Sequence, residues 1–300
     1  MDRTAGRDRV VATFSIVAAD LAGGEFGIAV ASKFLACGAV VPWASAGAGA
    51  VATQSYSNTA FGPDGIRMMR AGLSAEQALE KLIAEDAGRD LRQVGMVDAQ
   101  GRAAAHTGAG CHAWAGHRVG HGFACQGNIL ADPEVVAAMA SHFEAADGAL
   151  SDRLLKALIA GDNAGGDRRG RQAAALYVVR DKGGYGGMND VLVDLRVDDH
   201  PDPMKELARL VELHRLHFGS SPAGEKLAID RPLLAELQRM MQRQGIYDGA
   251  DRGDWDEATA KALDAFISAE NLEERVDFPG RTIDRPALDF LRASFPSAVR

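Results

Sequence analysis

The segment Thr13-Phe14-Ser15-Ile16-Val17-Ala18 alternates as a β-strand does and predicts the first strand of the chain. A second strand is predicted at Phe26-Gly27-Ile28-Ala29-Val30-Ala31, which runs into Ser32-Lys33. The turn residues Leu21-Ala22-Gly23-Gly24 lie between the two segments and predict a hairpin. A threonine hydroxyl therefore opens one strand and a lysine ends its neighbour, although Thr and Ser are also frequent in strands for their β-propensity alone.

The composition predicts a globular protein of one or two domains. The chain has 300 residues, of which 47% are hydrophobic and 25% charged, and its net charge is −8. This charge argues against a nucleic-acid partner. Met1–Val10 has no apolar core and is not a secretory signal, and three cysteines favour a reducing compartment. We therefore expect a cytoplasmic location.

No charged residue occurs between Lys33 and Asp64. The stretch is rich in Gly, Ala and Ser and is broken by Pro42, so it is unlike a membrane span. It predicts two strands that are buried on both faces, near Ala39–Val41 and Gly47–Thr53.

Further along, hairpins alternate with pairs of helices. Ser74 and Gln77 form a capping-box pattern, Asp132-Pro133 predicts a helix start, and Ser151 is expected to cap the next helix. Strands that are uncharged on both faces need a packing layer on each face to exclude water. The predicted fold class is therefore α+β, with antiparallel sheets in a four-layer α-β-β-α sandwich.

The composition changes near the C-terminus. Gly219–Gly224 has linker composition, and residues 219–229 are predicted to join two domains. Residues 230–298 show three short helical patterns, the last capped by Asp284, and no convincing strand. We predict a small all-α domain there.

Thr13 is the candidate nucleophile, with Ser15 as a reserve. If Thr13 were the first residue of the mature chain, its own α-amine, with a pKa of roughly 7.7–8.0, could serve as the base. Lys33 would keep that amine neutral by repulsion between like charges. Gly127-Asn128 could supply oxyanion donors, although an ordinary turn would also explain that pair.

Asp167, Arg168 and Arg171 lie in a glycine-rich segment before the strand Ala173–Val179. Arginines on such a backbone can hold a substrate carboxylate, and Asp167 can order the loop or orient the amine. A solvated loop with one Arg–Asp pair is the alternative.

No metal or cofactor is predicted. The group Cys111-His112, His117, His121 and Cys125 matches no zinc spacing, and the glycines around it argue against a helix. A Cys–His nucleophile pair within this group stays open. Gly47–Ala52 formally fits a dinucleotide fingerprint but is not followed by an amphipathic helix.

Several segments resemble domain of unknown function 1028, a family placed in the N-terminal-nucleophile (Ntn) hydrolase superfamily. The resemblance covers residues 12–218 and implies the Ntn-type α-β-β-α sandwich. The segments that carry it are Thr13–Ala18, Gly27–Lys33, Gly47–Ser57, Arg92–Gly95, Ala105–Gly108, Gln126–Asn128, Gly166–Leu176 and Gly183–Pro203.

Members of this family start almost at the threonine, whereas Met1–Ala12 precede Thr13 here. Three alternatives follow. The Ala12–Thr13 bond is cut after synthesis, or translation begins at a later residue, or Thr13 never becomes the first residue of the chain. The last case would leave no free amine and would argue against catalysis.

The tail resembles a peptidoglycan-binding module, a small helical bundle attached to wall enzymes. The matching segments are Leu234–Gln238, Gly245–Gly249 and Gly253–Asp256. Together the two resemblances imply an Ntn amidohydrolase that acts on a small amide or peptide-like substrate. A non-catalytic binding protein with a glycan- or peptide-binding tail is the alternative. We expect peptidoglycan fragments as a further partner, a homo-oligomer, and no nucleic acid or membrane.

Overall fold

The computed structural model describes residues 13–219 and 225–296. The chain forms two compact units that divide between Val211 and Glu212. The predicted head, residues 1–12, and the linker residues 220–224 lie outside the described residues.

From Thr13 onward, the described part of the first unit contains ten strands in two antiparallel sheets, together with five helices. The strands are β1 (Thr13–Asp20), β2 (Glu25–Ser32), β3 (Pro42–Ser45), β4 (Gly49–Ser55), β5 (Arg92–Asp98), β6 (Ala103–Thr107), β7 (Gly116–Gly120), β8 (Phe123–Asn128), β9 (Ala173–Val179) and β10 (Val191–Val197). The helices are α1 (Phe61–Arg70), α2 (Ala75–Glu85), α3 (Glu134–Ala145), α4 (Leu150–Asn163) and α5 (Pro203–Phe218), of which α5 crosses the division between the units.

The six-stranded sheet has the order β10-β9-β2-β1-β8-β7, and the four-stranded sheet has the order β3-β4-β5-β6. The predicted hairpin of β1 and β2 is confirmed, with Phe14 opposite Ala31. The predicted mixture of antiparallel sheets and helices is therefore confirmed as well.

Alternation along the strands distributes the side chains over three layers of core. Phe14 and Ile16 of β1 pack with the helices α3 and α4, whereas Val17 faces the four-stranded sheet. On that sheet Val97 faces β1, and Met96 packs with α1 and α2. The order of packing is thus helices, sheet, sheet, helices, and the strands β1, β2, β4 and β8 are buried on both faces.

Two predicted element starts are wrong. Cys37–Ala39 forms a 3₁₀ turn, and the strand begins only at Pro42. A Cβ at Gly38 would lie 2.5 Å from the Cβ of Ala175, so this turn packs too tightly against β9 to run as a strand. The helix α4 begins at Leu150, so Ser151 lies inside its first turn and not at the capping position, which Ala149 occupies without a side-chain cap. The capping box of Ser74 and Gln77 at α2 is confirmed.

The second unit corrects the all-α prediction for the tail. Its three helices are α6 (Arg231–Arg243), α7 (Glu257–Ala269) and α8 (Arg285–Ser294). The unit also contains a small antiparallel sheet of β11 (Lys226–Ala228), β12 (Val276–Asp277) and β13 (Thr282–Asp284), in the order β11-β13-β12. Strands of two or three residues are too short to show an alternating pattern, which is why the sequence did not reveal them.

A buried ion pair explains a second difference in the tail. Asp284 stands at the start of α8 but makes no side-chain cap. Its carboxylate instead lies 3.1 Å from the Arg275 guanidinium, which also donates to the carbonyl oxygens of Leu216 and Arg215. No helix in the part of the chain described here is long and apolar enough to cross a membrane.

Candidate functional site

Polar side chains fill one end of the space between the two sheets of the first unit. We call the four carboxamides there, Gln54, Gln93, Gln126 and Asn128, the amide cluster. All four have an exposed fraction of 0%, as do the neighbouring Thr13 and Ser15. Alternation places them there, because Thr13 and Ser15 lie on the same face of β1 as Val17, which packs between the sheets.

Gln93 is the centre of the amide cluster. Its Nε2 lies 2.7 Å from the carbonyl oxygen of Gly127, 3.2 Å from that of Gly116 and 3.0 Å from Thr107 Oγ1. Because backbone carbonyls only accept hydrogen bonds, this end of the side chain must be the nitrogen. Gln93 Oε1 therefore points to Gln54 Nε2, at 2.9 Å, and to Asn128 Nδ2, at 3.0 Å.

The donors and acceptors around Gln54, Ser15 and Gln126 also determine how these side chains are oriented. Gln54 Nε2 also donates to the carbonyl oxygen of Thr13 at 3.2 Å, so Gln54 Oε1 is the atom that accepts from Ser15 Oγ at 2.6 Å. The Ser15 hydroxyl in turn accepts from Gln126 Nε2 at 2.7 Å. Each hydrogen bond in this series has a defined direction, and every partner is uncharged.

Thr13 lies between two neighbours on the same face of the sheet. Asn128 of β8 is its direct partner in register, and Thr13 Oγ1 donates to Ser32 Oγ of β2 at 3.2 Å. Thr13 and Asn128 thus lie side by side on neighbouring strands.

Lys33 follows Ser32 but its amine is directed elsewhere. The side chain is exposed, and Nζ donates to the carbonyl oxygen of Arg171 at 3.1 Å. The backbone N–H of Lys33 donates to Asp167 Oδ2 at 2.8 Å. The structure thus ties the end of β2 to the loop that precedes β9.

Asp167 orders that loop. Its buried carboxylate accepts from the Arg169 backbone N–H at 2.9 Å and forms an ion pair with the Arg169 guanidinium at 2.8 Å. Arg171 pairs with Asp162 at 2.8 Å, and this contact raises the pKa of the guanidinium further. Arg168 is exposed, and its backbone N–H donates to the carbonyl oxygen of Ile129.

Gly127 and Asn128 are not a turn but the last two residues of β8. Gly127 is paired with Phe14 on one side and with Gly116 on the other, so its backbone lies in the interior of the sheet. A Cβ at this position would lie 2.4 Å from Leu130, which explains the glycine.

The histidines and cysteines are dispersed. His117 Nδ1 lies 2.9 Å from Thr107 Oγ1, and His112 Nε2 lies 3.3 Å from the Tyr56 hydroxyl. Burial lowers the pKa of His117, and His106 lowers it further. Cys125 is fully buried in the core, and burial raises the pKa of its thiol. Within residues 13–219 and 225–296 no group of three or more His, Cys, Asp or Glu side chains could hold a metal ion.

Sequence reasoning missed the three glutamines. Gln54 and Gln126 lie on strands without charged residues, and that is a usable signal, because a carboxamide buried between sheets needs a partner. Their convergence was not predictable, because it depends on how the two sheets are superposed.

Comparisons with known proteins cover both units. A model described as "Family of unknown function (DUF1028)" matches residues 13–207, and one described as "Putative peptidoglycan binding domain" matches residues 224–291. The crystal structure of protein SPO2555 from Silicibacter pomeroyi, of the DUF1028 family, is 32% identical, with a TM-score of 0.62. The match covers 68% of this chain and 89% of that one. No curated protein matches the chain. The chain therefore belongs to the DUF1028 family.

Proposed function

We propose that the first unit is an Ntn-type amidohydrolase that acts on a small amide or peptide-like substrate, with Thr13 as the nucleophile. The observation that carries this proposal is the position of Thr13. It is fully buried between the sheets, opposite Asn128 and beside Ser32, at the residue where the family match begins. Two antiparallel sheets between layers of helices support the Ntn assignment of the fold.

The geometry favours Thr13 over Ser15. The Ser15 hydroxyl donates to Gln54 Oε1 and accepts from Gln126 Nε2, and neither amide group can take up its proton. Thr13 has a possible base on its own Cα if the bond to Ala12 is cut. In the reaction Thr13 Oγ1 would bond to the substrate amide carbon while its proton passes to the α-amine. The α-ammonium group then gives this proton to the nitrogen of the leaving amine as the C–N bond breaks. Water hydrolyses the ester on Thr13, which releases the acid and restores the Thr13 hydroxyl.

The surroundings of Thr13 suit a neutral amine. The amide cluster is buried and uncharged, and such a site lowers the pKa of an amine because it disfavours the ammonium form. Lys33 would add only repulsion from a distance, since its Nζ is bonded to the Arg171 carbonyl oxygen. The tuning role of Lys33 stays a prediction.

Hydrogen bonds within the sheet limit the oxyanion role of Gly127 and Asn128. Asn128 Nδ2 already donates to Gln93 Oε1, and the backbone of Gly127 is part of the sheet. Asn128 could stabilise an oxyanion only with its second N–H or after it leaves Gln93.

Arg168 is the better candidate for a substrate carboxylate. Arg171 is in an ion pair with Asp162, whereas the Arg168 side chain is exposed in the same loop. Asp167 would then act by ordering the loop, as its bonds to Arg169 and to Lys33 N–H indicate. Its alternative role, orienting the amine, has less support.

Intact-mass measurement and N-terminal sequencing of the purified protein test the proposal. We expect Thr13 as the first residue, together with a covalent adduct on Thr13 after treatment with an electrophilic amide analogue. A protein that hydrolyses amides while Ala12 stays joined to Thr13 would contradict the proposed base.

The tail supports a second candidate, a binding protein for glycans or peptides. Its match to a peptidoglycan-binding family favours peptidoglycan fragments as ligand. Sedimentation of the full chain with purified peptidoglycan tests this, with Thr13→Ala as the variant that should bind equally well under this hypothesis. The cytoplasmic location and the homo-oligomer stay predictions, which cell fractionation and light scattering can check.

A further inference from the structure

Two side-chain oxygens in the amide cluster have no hydrogen-bond donor among the described residues, Asn128 Oδ1 and Gln126 Oε1. Both residues are fully buried. A buried acceptor without a donor costs about 1–3 kcal/mol, so such atoms mark places where a donor is missing.

The orientation of Asn128 follows from its neighbours. Gln93 Nε2 must face the carbonyl oxygen of Gly127, so Gln93 Oε1 must face Asn128. Asn128 therefore directs its Nδ2 to Gln93 Oε1, and its Oδ1 is the atom that has no hydrogen-bond donor among the described residues. A flipped Asn128 would set two oxygens against each other.

This oxygen lies next to the start of the proposed mature chain. Asn128 and Thr13 are direct partners in register, and their side chains lie on the same face. The Cβ atoms of such a pair are about 4.5–5.5 Å apart. A nitrogen on the Cα of Thr13 is thus within reach of Asn128 Oδ1.

We propose that Asn128 Oδ1 accepts a hydrogen bond from the free α-amine of Thr13. Asn128 is then a positioning residue that directs the amine lone pair towards Thr13 Oγ1, and not an oxyanion donor. The inference rests on the proposed function, which supplies the free amine. During the reaction the amine takes the proton of Thr13 Oγ1, and Asn128 stays neutral and remains its acceptor.

Few charges compete for this amine. The groups shown beside Asn128 carry no charge: Gln93 accepts from its Nδ2, and Thr13 is its partner in register. The titratable group on the other neighbouring strand is His117 of β7, the register partner of Gln126, and burial lowers its pKa and so favours its neutral form. Further away, the Lys33 amine is bonded to the Arg171 carbonyl oxygen and Asp167 is paired with Arg169. A charge placed at position 128 should therefore dominate the pKa of the amine.

The test measures that pKa directly. A protease recognition sequence placed over positions 9–12 of the full chain lets the Ala12–Thr13 position be cut in the folded protein. The amine is thus available whether or not the natural chain is processed. Its pKa is read from the pH dependence of its acetylation, by mass spectrometry of the peptide that begins with Thr13. The variants are Asn128→Asp, Asn128→Ala and, as a matched control on the same face of β8, Gln126→Glu.

We expect Asn128→Asp to raise the amine pKa by about one unit or more, because a carboxylate favours the ammonium form. Asn128→Ala should lower it, because an acceptor is lost, and Gln126→Glu should shift it by less than half as much as Asn128→Asp. If Asn128→Asp prevents folding, Asn128→Ala decides alone. An amine pKa that is unchanged in both Asn128 variants would overturn the inference. A chain that is never processed naturally, but shows these shifts after cutting, would reject the proposed function and keep the acceptor role.

Discussion

The space between the two sheets has two ends of opposite chemistry. At one end Val17, Val30, Ala52 and Val97 form a hydrocarbon core. At the other end β4, β5 and β8 carry the amide cluster, and its members are just as deeply buried. Hydrocarbon is the simpler way to fill such a space, because every polar group needs a partner. The amide end satisfies most of its groups, but among the described residues Asn128 Oδ1 and Gln126 Oε1 have no donor.

The largest expected effect is on chemistry at the amide end. Thr13→Ala should reduce amide hydrolysis and adduct formation to background, because it removes the nucleophile, while the protein stays folded. Thr13→Ser is the matched control and should keep measurable activity. Adduct formation followed by peptide mapping checks both variants. Full activity in Thr13→Ala would leave the amide end without a catalytic role.

The second prediction compares the stability of the two ends. Gln93→Leu removes the acceptor of Asn128 Nδ2, one of the acceptors of Gln54 Nε2 and the side-chain donor to the carbonyl oxygen of Gly127, at a cost of about 3 kcal/mol. Val97→Ala at the hydrocarbon end should cost about 2 kcal/mol. Urea unfolding of both variants measures the difference. An equal or smaller loss in Gln93→Leu would mean that the amide cluster is not a connected unit.

A smaller effect is expected where the sheets approach most closely. A Cβ at Gly95 would lie 2.1 Å from Gln126 Oε1, so Gly95→Ala must displace that carboxamide. We expect a loss of about 1–3 kcal/mol from overpacking, measured by urea unfolding. Combination with Gln126→Ala, which removes the displaced amide, should recover part of the loss. A double variant no more stable than Gly95→Ala would place the strain elsewhere.

The smallest effect concerns pH. Burial lowers the pKa of His117 in the folded protein, and His106 adds to this, so the unfolded chain binds more protons over a window below roughly 6.5. Stability should therefore rise with pH through that window and level off above it. His117→Gln should flatten the rise, and His106→Gln should reduce it in part. Thermal unfolding at a series of pH values checks this, and an unchanged slope in His117→Gln would assign the dependence to another group.

Part of the candidate site was predictable and part was not. Thr13, Ser15 and Asn128 were identified from strand positions, and the structure brings them to one face. Lys33 was expected beside Thr13 because it ends the neighbouring strand, yet its flexible stem lets Nζ reach the Arg171 carbonyl oxygen instead. Asp167 was predicted to order the loop or to orient the amine, with a single Arg–Asp pair in a solvated loop as the alternative, and in the structure it pairs with Arg169.

The sequence by itself determined the hairpin of β1 and β2, the capped start of α2, the change of composition before the tail and the faces on which Thr13 and Ser15 lie. These features depend on local alternation, turn residues and caps, which act within a few positions. Only the tertiary structure decided that three glutamines and Asn128 converge, which way each amide points, and that short strands join the helices of the tail. Those outcomes depend on the register between strands and on the superposition of two sheets. The hydrogen bonds from Ser15 to Gln54 and from Gln54 to Gln93 each join residues that are 39 positions apart, so they form only when the sheets have come together.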